Sequence, residues 1–171
     1  SGDLDPSLYR YLAQTESMSP ARFNALVNDE SGLLGVSGTS GDMHDLLARE
    51  ADDAHAAEAV AMFCYEVRKR IGAFAAVLGG LDVLVFAGGI GEHAPTIRQR
   101  ICEGLGFLGI ELDAQRNAGD PSRISLPSGR VAVYVMATDE EIMIARAAAR
   151  ILEIEPPSSA ASATDTDTER S

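Results

Sequence analysis

The chain has 171 residues, 14 basic and 26 acidic side chains, a formal net charge of −12 and a hydrophobic share of 46%. That length predicts one domain with a core of its own, and that hydrophobic share excludes wholesale disorder. The acidic balance argues against a nucleic-acid or anionic-membrane binder, either of which needs a basic face. Small anions stay open, because backbone N–H groups can hold them.

In chain order, Asp5-Pro6 opens a first helix through Leu8, Tyr11 and Leu12, with proline at its first position. Ser19-Pro20 opens a second, carrying Phe23, Leu26 and Val27 on one face. Residues 31–41 form a glycine-rich stretch, after which Asp42 caps a third helix through Leu46 and Leu47. The strongest helix runs from about Asp53 to Leu78. There Val60, Phe63, Cys64, Val67, Ile71, Phe74 and Leu78 recur at three- and four-residue steps, and Gly79-Gly80 ends it.

Leu81–Phe86 is mostly apolar and β-branched, which predicts a strand buried on both faces. A glycine turn and a helix from Pro95 to about Leu105 follow. Short strands are expected at Gly109–Leu112 and Arg123–Leu126, with Ser128-Gly129 as a turn, and a longer one at Val131–Met136. The last helix runs from about Asp139 to Leu152. This alternation predicts an α/β layered fold. From Glu153 on, the Ser/Thr/Ala/Asp-rich end carries a net charge of −4 and no large apolar residue beyond Ile154, and reads as a disordered tail over 153–171.

Cys64 and Cys102 stand 38 residues apart, with no Cys-x-x-Cys or Cys/His ligand spacing. Two buried, reduced thiols are expected, and neither a disulfide framework nor a zinc site. No apolar run approaches the length of a membrane span and the start shows no signal-peptide pattern, so the chain reads as cytoplasmic. Its first residues, already inside a pattern, suggest a piece of a longer protein.

Three stretches can carry chemistry. Phe86-Ala87-Gly88-Gly89-Ile90-Gly91-Glu92-His93-Ala94-Pro95 lies between a strand and a helix. It is either a tight connection or a place where backbone approaches a ligand. Gly89-x-Gly91-x-x-Ala94, with Asp113 24 residues after Gly89, also fits the dinucleotide fingerprint of an NAD-binding oxidoreductase. Against that, some 80 residues precede the fingerprint and too few strands follow it. Thr138-Asp139-Glu140-Glu141 starts the last helix. Thr138 and Glu141 have capping-box spacing, while Glu140 either stabilises the helix or holds Mg²⁺ at the carboxyl edge of the sheet. Ser37-Gly38-Thr39-Ser40-Gly41-Asp42-Met43-His44 is a capped loop or a phosphate- or nucleoside-binding one.

Four motifs in order resemble one family: Ser1-Gly2-Asp3-Leu4-Asp5-Pro6, Glu30-Ser31-Gly32-Leu33-Leu34-Gly35-Val36-Ser37, Phe86-Ala87-Gly88-Gly89-Ile90-Gly91-Glu92 and Thr138-Asp139-Glu140-Glu141. Residues 1 to about 152 resemble the C-terminal part of the acetate kinases, with propionate kinases as close kin. The resemblance implies a ribonuclease-H-like α/β domain of the sugar kinase and actin superfamily, incomplete at its N-terminal side. It implies transfer of the γ-phosphoryl group of ATP, with Mg²⁺, to a short-chain carboxylate, giving an acyl phosphate, and a homodimer when full length. By position, Gly88, Gly89, Ile90, Gly91, Glu92 and His93 become the adenosine-binding turn. Asp42, Met43 and His44 become a second nucleotide contact, and Glu140 the magnesium acid. His44 stands where the family usually has arginine, and His93 where it commonly has asparagine. The family's carboxylate pocket, catalytic arginines and phosphate hairpin precede the part matching Ser1. This chain is therefore expected to be the ATP side, with no catalytic residue of its own and no activity alone. The other readings are the dinucleotide-binding domain and a non-catalytic interaction module on the same fold.

Overall fold

The computed structural model describes residues 3–119 and 122–152. Two compact units divide between Ala137 and Thr138, inside the span read above as one domain. The tail expected over 153–171 lies outside the described residues.

The first unit begins with α1 (Leu8–Thr15) and α2 (Pro20–Asn28). Ser19 accepts a hydrogen bond from the Arg22 N–H and Pro20 occupies the first turn of α2, the combination that starts a helix cleanly. Within the glycine-rich stretch, to which the sequence assigns no element, the chain forms α3 (Gly32–Ser37). Gly32 takes φ +67°, and at Gly35 a Cβ would come within 2.9 Å of the Glu30 carbonyl, so glycine at 35 is what lets this short helix fold back on its own entry. Leu33 and Val36 then pack against the core.

Asp42 caps α4 (Met43–Arg49), and Asp53 caps α5 (Ala54–Leu78) through the N–H groups of His55 and Ala56. Gly79 closes α5 in the left-handed conformation, as its sequence predicts. Ala56, Ala59, Val60 and Cys64 of α5 are buried with Met43 and Leu46, and Phe63, Val67 and Ile71 are partly so. The stripe does not continue inward to the end: Phe74, Val77 and Leu78 are exposed.

β1 (Val83–Phe86) and β2 (Ala132–Val135) pair in parallel, Val83 opposite Ala132 and Phe86 opposite Val135. Leu84, Phe86, Val133 and Val135 face the core. Val83 and Val85 on the other face are 49% and 45% exposed, which corrects the expectation of a strand buried on both sides. Parallel strands bury both faces only where elements cover both, and among the described residues only one face is covered.

Between the strands lie α6 (Gly88–His93), α7 (Pro95–Cys102), a short 3₁₀ turn (Gly106–Leu108) and α8 (Ala114–Ala118). The helix expected from Pro95 to Leu105 stops at Cys102, and the strands expected at 109–112 and 123–126 are single antiparallel bridges, Leu112 to Ser125 and Arg123 to Tyr134. The second unit contains α9 (Glu140–Ile151). Cys64 and Cys102 are free and buried, and burial pushes the Cys102 thiol up to about 12.

Arg100 of α7 and Glu50, just past α4, form a two-pronged ion pair with both N–O distances 2.7 Å. The Arg100 hydrogen bonds hold the Glu50 carboxyl below its usual range despite burial. A depressed folded-state value means the pair stabilises fully above the unfolded-state value of Glu50 and is lost as pH falls through the folded one. Glu50→Gln is expected to cost about 1 kcal/mol at neutral pH. In urea titrations at stepwise lower pH, that difference should shrink toward zero.

Candidate functional site

The glycine turn is where the sequence places most of its chemistry, and its three glycines meet three different surroundings. Gly88 opens α6 at φ +72°, a conformation that side chains on Cβ rarely allow. Gly91 sits against the end of β1: an added Cβ would lie 3.3 Å from the Phe86 carbonyl carbon and 3.5 Å from its Cβ. Gly89 has neither constraint. Its φ is not left-handed, and beyond its chain neighbours and its own helix backbone nothing lies within 4 Å of where its Cβ would be.

The turn lines a groove of about 390 Å³ together with Phe63 and Val67 of α5, Val85 and Phe86 of β1, and Ile97, Arg98 and Ile101 of α7. Its size falls within the range of small-molecule sites. A larger, mainly apolar groove of about 560 Å³ shares Phe63 and Val67 with it and lies between α3 and α5, with Asp3, Lys69 and Arg70 at its rim. It contains none of the residues expected to bind nucleotide.

Glu92 turns back so that Oε1 accepts from the Gly88 N–H at 2.8 Å. A carboxylate of the chain itself thus holds the first N–H of α6. His93, in the last turn of α6, is exposed. α6 also breaks at Ala94, and a separate helix begins at Pro95.

The other end of α6 is held by a residue absent from the expected set. Arg98 is 2% exposed. Its Nη1 donates to the carbonyls of Gly91 and Glu92, both at 2.8 Å. Its Nε and Nη2 donate to Oδ1 and the main-chain carbonyl of Asn117 at 2.8 and 2.7 Å. Asn117, also buried, donates from Nδ2 to the Pro95 carbonyl at 2.9 Å. Burial lowers the Arg98 pKa, yet guanidinium stays charged. A cation is thus placed on carbonyls at the end of a helix, where the backbone dipole favours it. The sequence did carry a signal. On α7, Arg98 stands between Ile97 and the pair Ile101 and Cys102, all buried, and a cation on an apolar face must find acceptors.

The second expected stretch is tied up internally. Buried Ser37 donates to the Ser40 carbonyl at 2.8 Å and accepts from the N–H groups of Thr39 and Ser40 at 3.2 Å. Ser40 Oγ accepts from the Asp42 N–H and donates to Asp45, while Asp42 Oδ1 accepts from the His44 N–H at 2.7 Å. Met43 is in the core, so only its main chain is left to meet a ligand. Asp42 and His44 are exposed, and neither lines the groove beside the glycine turn.

At the start of α9 the cap is Asp139, whose carboxylate accepts from the Ile142 N–H at 2.9 Å. The box expected from Thr138 to Glu141 lies outside the described residues, because it rests on the side chain of Glu141. Glu140 is the first helical residue, and its side chain lies outside the described residues. Among the described residues no three acids, histidines or cysteines cluster as a metal site. Mg²⁺ is usually held by one or two carboxylates plus substrate phosphates, so one carboxylate from this chain fits such an ion without making a site alone.

An α/β unit that ends a parallel strand in an open-faced glycine turn belongs to the class of folds that bind ligands at the carboxyl edge of the sheet. The sequence matches the Acetokinase family over residues 1–146, and the chain belongs to that family. It is 48% identical over 161 residues to an acetate kinase of Solibacter usitatus, covering 91% of this chain and 39% of that protein. A propionate kinase of Citrobacter rodentium is 45% identical over 158 residues, covering 92% and 39%. Among solved structures, Porphyromonas gingivalis acetate kinase superposes with a TM-score of 0.80 at 40% identity, over 89% of this chain and 39% of that one. A Francisella tularensis propionate kinase gives 0.78 at 35% identity. The fold is the α/β, actin-like one of these kinases, and the chain spans about 39% of the length of the relatives it matches.

The dinucleotide-binding alternative is not favoured. Besides the family match, Asp113, its candidate ribose acid, is committed to capping α8 through the N–H groups of Gln115 and Arg116.

Gly91→Ala is expected to destabilise the fold by about 1–3 kcal/mol, because β1 backbone must give way. Gly89→Ala, in open space within a helix, should instead stabilise it by about 0.5–1 kcal/mol. Paired denaturant titrations of the two variants check the opposite signs.

Proposed function

We propose that this chain is the ATP-side portion of a kinase that moves the γ-phosphoryl group of ATP onto a short-chain carboxylate, acetate or propionate, giving ADP and an acyl phosphate. The names of the relatives support the reaction class. The observation that carries the site is the open space over Gly89. Neither backbone conformation nor packing requires glycine there, which supports a ligand lying against the backbone at this position beside the groove.

In this reading the adenosine rests on Gly88–Gly91, with the apolar groove at its side and the exposed imidazole of His93 at the end of α6. Asp42 and His44 meet the nucleotide from a second direction, through side chains or the main chain of Met43. Glu140, alone or through water, contributes to Mg²⁺, which supplies charge neutralisation on the phosphates. Phosphoryl transfer depends on positioning and on cations around the transferred group. Arg98 and Arg100 are held by carbonyls and by Glu50, which supports a chain that binds nucleotide weakly and does not turn over by itself. The exposed Phe74, Val77 and Leu78 of α5 support self-association, consistent with a homodimer of the complete kinase. No helix of the described residues is long and apolar enough to cross a membrane.

In the complete kinase, Gly89→Val is expected to leave the melting temperature nearly unchanged while raising the KM for ATP far more than that for acetate. Unchanged ATP dependence in the folded variant would refute the nucleotide site. Glu140→Gln should raise the Mg²⁺ concentration needed for half-maximal rate with little change in melting, whereas Glu141→Gln should alter neither. Identical behaviour of the two would remove Glu140 from the metal.

A further inference from the structure

We infer that Arg98 and Asn117 are positioning residues of the nucleotide site: Asn117 locks the Arg98 guanidinium, and the guanidinium sets the tilt at which α6 presents its open Gly89 face. The inference rests on the nucleotide reading above and adds residues that neither the motifs nor the relatives' names assign.

α6 is six residues long and bounded by a left-handed glycine at one end and a break at Ala94 at the other. A helix this short is not held by its own ladder, so what fixes its direction must come from outside. At the entry it continues from β1, with Gly91 pressed against Phe86. At the exit, both Gly91 and Glu92 carbonyls bond to one nitrogen of Arg98. That nitrogen belongs to a planar fork whose other two donors are both taken by Asn117. Asn117 is in turn fastened to Pro95 at the start of α7. The clamp therefore ties three helices around the turn, with α8 as its anchor.

Two features make this more than a packing contact. Arg98 is almost wholly buried, yet among the described residues each of its hydrogen-bond partners is neutral. A buried cation without a carboxylate is costly, and an apolar residue would fill the space at lower cost if only volume mattered. What guanidinium alone supplies is several donors in a fixed plane. Arg98 also lines the groove that runs beside Gly88 to Gly91, so any shift of the fork moves the groove wall and the glycine face together.

The test uses the complete kinase with Arg98→Lys, Asn117→Ala, their combination, Asn117→Asp and Gly89→Val. Glu50→Gln serves as a control that destabilises away from the turn. Lysine keeps the charge and loses the fork. Loss of one or two charge-assisted bonds is expected to raise the KM for ATP roughly tenfold in Arg98→Lys and in Asn117→Ala, with the KM for acetate unchanged. The combination should be no worse than the worse single variant, because both break one clamp. Asn117→Asp, which keeps an acceptor facing Nε but gives up the Nδ2 donor to the Pro95 carbonyl, should recover part of the ATP affinity lost in Asn117→Ala. Amide exchange at residues 91–94 should quicken in Arg98→Lys and Asn117→Ala but not in Glu50→Gln.

Lowered melting temperature with unchanged KM for ATP and unchanged exchange would overturn the inference, as would additive effects or equal losses in Asn117→Asp and Asn117→Ala. If Arg98→Lys does not fold, the two Asn117 variants and the exchange measurement decide. An unaffected ATP KM in Gly89→Val would instead remove the nucleotide reading itself. A raised KM in Gly89→Val with none in the clamp variants would remove only the clamp.

Discussion

The arrangement around the glycine turn depends on a buried guanidinium that is answered by carbonyls. A carboxylate partner would have neutralised Arg98 more simply, and in a chain with 26 acidic residues one was available in composition. Instead the charge meets the exposed carbonyl end of α6 and the side chain and main chain of Asn117. A point-like ion pair would fix one distance. The planar fork, bonded at three of its nitrogens, fixes an orientation, and orientation is what a six-residue helix cannot supply for itself.

The same device recurs in weaker form. Arg68, from α5, donates to the carbonyls of Arg100 and Ile101 at the end of α7, and Arg130 donates to the Leu108 carbonyl beside Gly109. Several of the 14 basic side chains in this acidic protein are thus placed on helix or turn carbonyls. There they satisfy orphan acceptors and oppose the negative end of the helix dipole. Arg100 is the contrast: its two-pronged pair with Glu50 ties the end of α4 to α7. The pair thus links the helix that carries Asp42 to His44 at its start with the helix that follows the glycine turn, and not with α6 itself.

The packing is one-sided in a way that fits a family member spanning 39% of its relatives. β1 and β2 bury Phe86 and Val133 but expose Val83 and Val85, and α5 carries its apolar stripe beyond the core at Phe74 and Leu78. Apolar surface left in water contributes nothing to folding and favours association.

Local rules acting within a few residues were enough to place the helices from sequence. Ser19-Pro20, Asp42, Asp53 and Gly79 mark boundaries that hold in the structure, since caps and left-handed glycines act on their immediate neighbours. The ordered motifs were enough for the family. Sequence failed where the outcome depended on distant partners. A stretch rich in glycine became α3 because Gly35 could approach Glu30 and α5 offered a surface. An apolar strand proved open on one face, because periodicity reports what a residue prefers and not whether a neighbour is present to cover it. The site divided in the same way. Glycines at 88, 89 and 91 were legible as a group, but only tertiary contacts distinguish the one that needs its φ, the one pressed against Phe86 and the one left bare. Arg98 and Asn117 stand 19 residues apart, and no local pattern links them. The fold brings them together because α7 and α8 pack on each other, and a buried cation must be satisfied by whatever acceptors lie within reach.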